Sequence, residues 1–309
     1  MARTALLSAA ALLAACAHLP PPGDGPARRS GSASSPAGLC DTGQAPSPHQ
    51  QDQRLQLVAR VRTLLAESGS PVALVSRSGT DLSRFGQWYS HAGLALRDNP
   101  QGVFAVRQLY YACDQSRPRL FDQGLAGFML AADAAPVMHV SLLLPPPEAA
   151  ATLARAALDT PLALGLLAPA YSANAYAFGT AYQNCNQWLA ELLAAAWSGA
   201  EAGRGRTDAQ AWLMRQGYQP HRFAVNPLLA LFARAVPLLH QDDHPAAARR
   251  AGVFDVSMPV AIEAFVRRLH PGTRRIELCH DGRRLVQRDH GPPLDAACTP
   301  SEGDRVQAM

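Results

Sequence analysis

Charge is scarce in this chain. Only 17% of its 309 residues are charged while 48% are hydrophobic, which predicts a globular body with ample core and a sparsely charged surface. The positive balance is small, a formal +4 with a pI near 8.9. Arginine carries it, scattered and without a basic stripe interleaved with aromatics, so nucleic acid is not an expected partner. The chain also lacks a glycine-rich phosphate loop, a dinucleotide fingerprint and a GxSxG elbow. Kinase, dehydrogenase and serine-hydrolase chemistries therefore have no support, and no cofactor or resident metal is expected. There is no internal repeat, and beyond the N-terminus no run is long and apolar enough to cross a bilayer.

The N-terminus reads as a targeting segment over residues 1–16. Arg3 precedes the apolar run ALLSAAALLAA at residues 5–15, and Leu13-Ala14-Ala15-Cys16 resembles the bacterial lipoprotein signal, with Cys16 the lipidated residue. Ala15 and Ala17 also form an A-x-A pattern, so plain cleavage after Ala17 stays open. Either reading implies export: an outer-membrane lipoprotein facing the periplasm, or a soluble periplasmic or secreted protein. Setting Cys16 aside leaves Cys40, Cys113, Cys185, Cys279 and Cys298. An odd number in an oxidising compartment implies two disulfides and one free thiol. Cys185 is the natural free thiol, because the others sit near loops or strand ends. Cys279 and Cys298 flank a hairpin and are the favoured pair, leaving Cys40 with Cys113, although four cysteines allow three connectivities.

Residues 17–52, rich in Pro, Gly, Ser and Ala, read as a flexible tether. From Gln53, Leu55, Leu57, Val58, Val61, Leu64 and Leu65 recur at helical spacing up to Gly69. Strands are expected at 71–79, from His91, at 103–112 and at 137–145, with a loop after Cys113 and a helix over 147–158. Asn184 is placed to cap a helix carrying Trp188, Leu189, Leu192, Leu193 and Trp197 on one face. Further helices are expected around 208–216, 226–239 and 259–269. A hairpin of RRIELCH and RRLVQRD turns at Asp281-Gly282.

Two short motifs carry the chemistry. YSHAGLAL at 89–96 puts His91 at a strand start, and YQNCNQWLAELLAAAW at 182–197 puts Cys185 at a helix N-terminus. The positive end of a helix dipole favours thiolate, and a histidine beside it supplies the base for thiol catalysis. His240-Gln241-Asp242-Asp243-His244 holds two imidazoles and two carboxylates, but Pro245 and the preceding Val-Pro pair argue for a solvated loop rather than a metal site.

The order of histidine strand first and cysteine helix later resembles the circularly permuted papain-like proteins of the NlpC-type superfamily, relatives of the lecithin:retinol acyltransferases. The wording RSGTDLSRFG, YSHAGLALRDNP and QLYYACD also resembles a bacterial family of unknown function, domain of unknown function 2145, over about residues 53–300. The resemblance implies an α+β, permuted papain-like core at 53–198 with an antiparallel sheet and packed helices, followed by a helical and hairpin extension at 199–309. It makes Cys185 the nucleophile and His91 its base. Gln108 on the following strand would orient the imidazole, with His139 the alternative. The Cys185 backbone N–H would hold the oxyanion, helped by Tyr182 or Gln183. The expected function is an exported cysteine hydrolase or acyltransferase acting, as a monomer, on a peptidoglycan peptide or a lipid acyl group. The alternative is a non-catalytic envelope-binding module that retains the fold.

Overall fold

A strand buried along its whole length needs cover on both faces, and four strands of this chain are of that kind. In the computed structural model, which describes residues 47–130, 137–199, 205–226, 228, 230, 236–289 and 291–309, β1 (Val72–Arg77), β2 (His91–Leu96), β3 (Ala105–Ala112) and β5 (Met138–Leu144) are buried at every position. With β4 (Arg117–Gln123), β10 (Arg274–His280), β11 (Arg284–Arg288) and β12 (Arg305–Ala308) they form one eight-stranded antiparallel sheet in the order β12-β11-β10-β5-β1-β2-β3-β4. The loop expected after Cys113 is therefore partly a strand. It lies at the sheet edge, where Pro118 costs no ladder bond on the open side.

Period-two alternation divides the core in two. Leu74, Ala92, Leu94, Leu96, Leu109 and Leu143 face a layer made by α3 (Pro147–Leu158), α5 (Cys185–Trp197), α6 (Arg206–Arg215) and α8 (Pro259–Leu269), with Leu153, Trp188, Leu192, Trp212 and Phe265 packed among them. The alternate residues Ala73, Val75, Ala95, Val106, Leu142 and Ile276 face α1 (Pro48–Ser68) and α2 (Leu125–Leu130), against Leu57, Val61, Leu65 and Phe128.

The first helix starts earlier than its apolar spacing suggests. Ser47 accepts from the Gln50 backbone N–H while the Gln50 side chain accepts from Ser47 N–H, a reciprocal capping box with Pro48 in the first turn. Residues 48–52, expected as tether, are helical as a result; Cys16, Cys40 and the rest of the tether lie outside the described residues. The helices at 147–158 and 259–269 match their expected bounds, α6 begins two residues early, and half of 226–239 falls outside the described residues. The hairpin does turn at Asp281-Gly282, with Gly282 at φ 81°. Rather than forming an appendage, it pairs through β10 with β5, so the expected extension and the expected core share one sheet. Among the described residues no helix is long and apolar enough to cross a membrane.

Candidate functional site

The helix bearing Cys185 is held at its N-terminus from several sides. Asn184 caps it, accepting from the Gln187 backbone N–H at 2.7 Å and donating to the Ala173 carbonyl. Asn186 donates through Nδ2 to the Ser90 carbonyl at 3.1 Å, which docks the first turn onto the entry to β2. Farther along the helix, Glu191 is fully buried and meets Arg206 at 2.8 Å, with Gln183 and Gln210 as further donors. Burial raises the Glu191 pKa above the ordinary carboxylate value, while the Arg206 guanidinium opposes that shift.

Cys185 itself is completely buried within the Leu94–Leu109–Trp188 cluster. It is disulfide-bonded, as is Cys113, and no described cysteine is free. The free thiol expected at Cys185 is thus absent: a cysteine surrounded by apolar side chains gains nothing from ionising and is stable as a disulfide sulfur. Cys279 and Cys298 are bonded to each other, as expected from the hairpin they flank.

His91 sits on the other side of the sheet. It pairs with Arg77 of β1, and its side chain follows Gly93 and Ala95 toward α1 and α2, whereas Ala92 and Leu94 point at α5. Its ring stacks on Tyr110 at 4.5 Å between centroids and lies 5.7 Å from the Phe128 ring. Nε2–H donates to Gln108 Oε1 at 2.8 Å, and the Gln108 amide is itself fixed by donating to Gln123 Oε1. Gln108 therefore stands where an orienter of His91 was expected. The proton on Nε2 leaves Nδ1 as the acceptor, and Nδ1 is buried without a hydrogen-bond partner. Burial, then the nearby Arg77 charge, push the His91 pKa down to about 3, against a smaller upward pull from Gln108.

The remaining candidates are engaged elsewhere. Gln183 donates to the Leu166 carbonyl and to Glu191 and accepts from Ala168 N–H, so its side chain is spent on structure. Tyr182 stacks on His240 at 4.2 Å and donates to Asp242. His244 turns away to the Asn174 carbonyl, and Asp243 accepts from Tyr176 N–H. His139 belongs to the α5 and α8 face, beside Cys279 at 3.5 Å and stacked on Trp88, so it cannot orient His91 across the sheet.

One buried polar cluster has no counterpart in the sequence reading. Tyr89 donates to Glu277, Arg275 bridges Glu277 at 2.8 Å and Glu263 at 3.0 Å, and Leu294 N–H donates to Glu277. The available signal was a lone glutamate, fully buried, inside the strand RRIELCH. Burial of Tyr89, followed by the Glu277 charge, raises its pKa well above the ordinary phenol value.

The arrangement keeps the expected base and the expected nucleophile on opposite faces of the sheet, the first neutral and the second oxidised. No curated protein and no solved structure matches the chain. A family model of uncharacterized proteins conserved in bacteria matches residues 64–266, which span the His91 strand, the Cys185 helix and most of α8, and the chain belongs to that family, DUF2145.

Proposed function

We propose that this chain is a non-catalytic module of the bacterial cell envelope, built on a permuted papain-like core and exported through its N-terminal signal segment. One observation carries the reading: His91 and Cys185 point away from each other across β2, so nucleophile and base lack the hydrogen-bonding reach that thiol catalysis needs. The pKa of His91 and the disulfide at Cys185 support it. A base held near pKa 3 retains a proton too weakly to stabilise a thiolate as imidazolium. The lipoprotein-like ending at Cys16 supports attachment to the outer membrane; Cys16→Ser should then move the protein from the membrane to the soluble periplasmic fraction.

A thiol hydrolase or acyltransferase is the second reading, favoured by the Asn186 contact that seats the Cys185 turn at the very start of the histidine strand. The test is a mass-based screen of muropeptides and acyl lipids, with and without mild reduction, comparing the native chain with Cys185→Ala. The binding-module reading expects no turnover in either protein and no alkylation of Cys185 by iodoacetamide in the native state. Turnover that disappears in Cys185→Ala, with the fold retained by circular dichroism, would establish the hydrolase instead.

A further inference from the structure

A buried imidazole ordinarily finds oxygen or nitrogen partners for its ring nitrogens, because an unmatched one gives up its hydration for nothing. His139 has none. It is only 3% exposed and its Nδ1 has no hydrogen-bond partner. Its Nε2 meets a sulfur instead, Cys279 Sγ at 3.5 Å. Trp88 stacks on the ring and Tyr89 meets it edge-on, so its plane is fixed while its nitrogens stay free of oxygen.

Strand register sets the imidazole and the sulfur side by side. Cys279 of β10 is the direct partner of His139 of β5, so both side chains leave the same face of the sheet. Cys298 comes from the loop between β11 and β12. Its Sγ, the Cys279 Sγ and a ring nitrogen of His139 all lie within 4.8 Å of one another. The two sulfurs are buried against Val286 and Leu294. Ala297 and Thr299, on either side of Cys298, are exposed, so that sulfur hangs from a surface loop rather than from the sheet.

Two thiolates with a neutral imidazole are a donor set for zinc, whereas magnesium and calcium take oxygen. Zinc binds sulfur at about 2.3 Å and imidazole nitrogen at about 2.0–2.1 Å, so tetrahedral angles place those two ligands about 3.5 Å apart. Nε2 of His139 and Sγ of Cys279 already stand at that separation. Two zinc-bound sulfurs stand about 3.8 Å apart, so opening a disulfide into this site moves Cys298 by less than about 2 Å. A zinc dication with two thiolates carries no net charge, which lowers the cost of holding it among apolar side chains.

We propose that His139, Cys279 and Cys298 form a three-ligand zinc site when the two sulfurs are reduced, and that their disulfide is its closed form. The fourth position of the tetrahedron falls to water or an external ligand. A dithiol reductant connects the two forms. Its own sulfurs join as a disulfide, the Cys279–Cys298 bond takes up the two electrons and two protons, and zinc displaces those protons on binding. The site is separate from Cys185 and does not rest on the envelope-binding reading.

The test is an anaerobic titration of the full chain with cobalt(II), the spectroscopic stand-in for zinc, with and without prior reduction by a phosphine. The reduced chain should take up one cobalt per chain with thiolate-to-cobalt charge-transfer absorption and strong visible bands, and zinc should bleach both. The unreduced chain should show neither. Cys279→Ser with Cys298→Ser should abolish the charge-transfer band, while the chain's other cysteines report any thiol binding elsewhere. His139→Gln keeps both sulfurs and should weaken cobalt binding by more than the roughly tenfold that loss of an outer-shell partner costs. Circular dichroism follows the fold of every form. Absence of thiolate-ligated cobalt in the reduced chain, equal uptake by the double serine variant, or unchanged affinity in His139→Gln each overturns the assignment. A reduced chain that unfolds and is not refolded by zinc overturns it as well.

Discussion

Lowering the pH from 7 to 5 should destabilise this protein, and the share due to one histidine, His91, follows from its surroundings. His91 is completely buried, stacked on Tyr110 and close to the Arg77 charge, and its pKa falls from 6.5 to about 3. In the unfolded chain the imidazole titrates near its ordinary value. Between those two values the unfolded state holds a proton that the folded state refuses, so the stability present above pH 6.5 is lost as pH falls toward 3. Each pH unit inside the window costs about 1.4 kcal/mol, which makes the loss between pH 7 and pH 5 about 2 kcal/mol for this residue. His139 and His280 are also depressed by burial and titrate in the same direction, so the comparison must be with a variant that retains them. His91→Gln keeps a donor for Gln108 and carries no charge at any pH. Urea unfolding of both proteins at pH 7, 6 and 5 should show a shallower pH dependence in the variant, by about 1 kcal/mol per unit at the acid end. Equal slopes would mean that His91 is solvated or protonated in the folded state. The argument that it is locked as a neutral base would then be wrong.

Three further outcomes follow from packing and cross-linking. Cys279 and Cys298 close a loop with a sequence separation of 19. Replacing both with serine should lower stability by about 3 kcal/mol in chemical unfolding, and non-reducing peptide mapping should recover the two joined. Gly93→Ala should cost about 1–3 kcal/mol in thermal unfolding, because the added methyl would meet Val106 Cγ1 at 2.6 Å and the Arg107 carbonyl at 3.0 Å in a strand that cannot shift. Glu191→Ala should cost about 3–5 kcal/mol, since it leaves the Arg206 guanidinium buried with backbone carbonyls but no counter-charge, and an unchanged urea midpoint would contradict that.

Local signals were readable wherever one residue type has one dominant physical use. Asp281-Gly282 turns the hairpin because glycine accepts the positive φ, and Asn184 caps α5 because its side-chain oxygen reaches a free backbone N–H. The apolar spacing from Leu57 to Leu65 became the buried face of α1, and Cys279–Cys298 joined as their flanking positions implied. Ser47 and Gln50 form a capping box ahead of the apolar repeat, so α1 begins before the first residue that apolar spacing marks. The edge strand β4 is hidden by its two arginines, its proline and its aspartate, which look like a loop until Tyr111 and Arg107 supply a partner ladder.

The sequence by itself pointed to the family and to the strand, helix and turn types around both motifs; it favoured the pairing of the last two cysteines without excluding the others, and through the resemblance it offered Gln108, with His139 as the alternative, as the residue beside His91. Tertiary structure alone decided which way His91 faces. HAGLAL is small or apolar at every position after the histidine, and a strand covered on both sides has no polar face to reveal its phase. Only the register of β2 against β1 and β3, with helices layered on both faces of the sheet, turns His91 to Phe128 and leaves Cys185 among the leucines behind it.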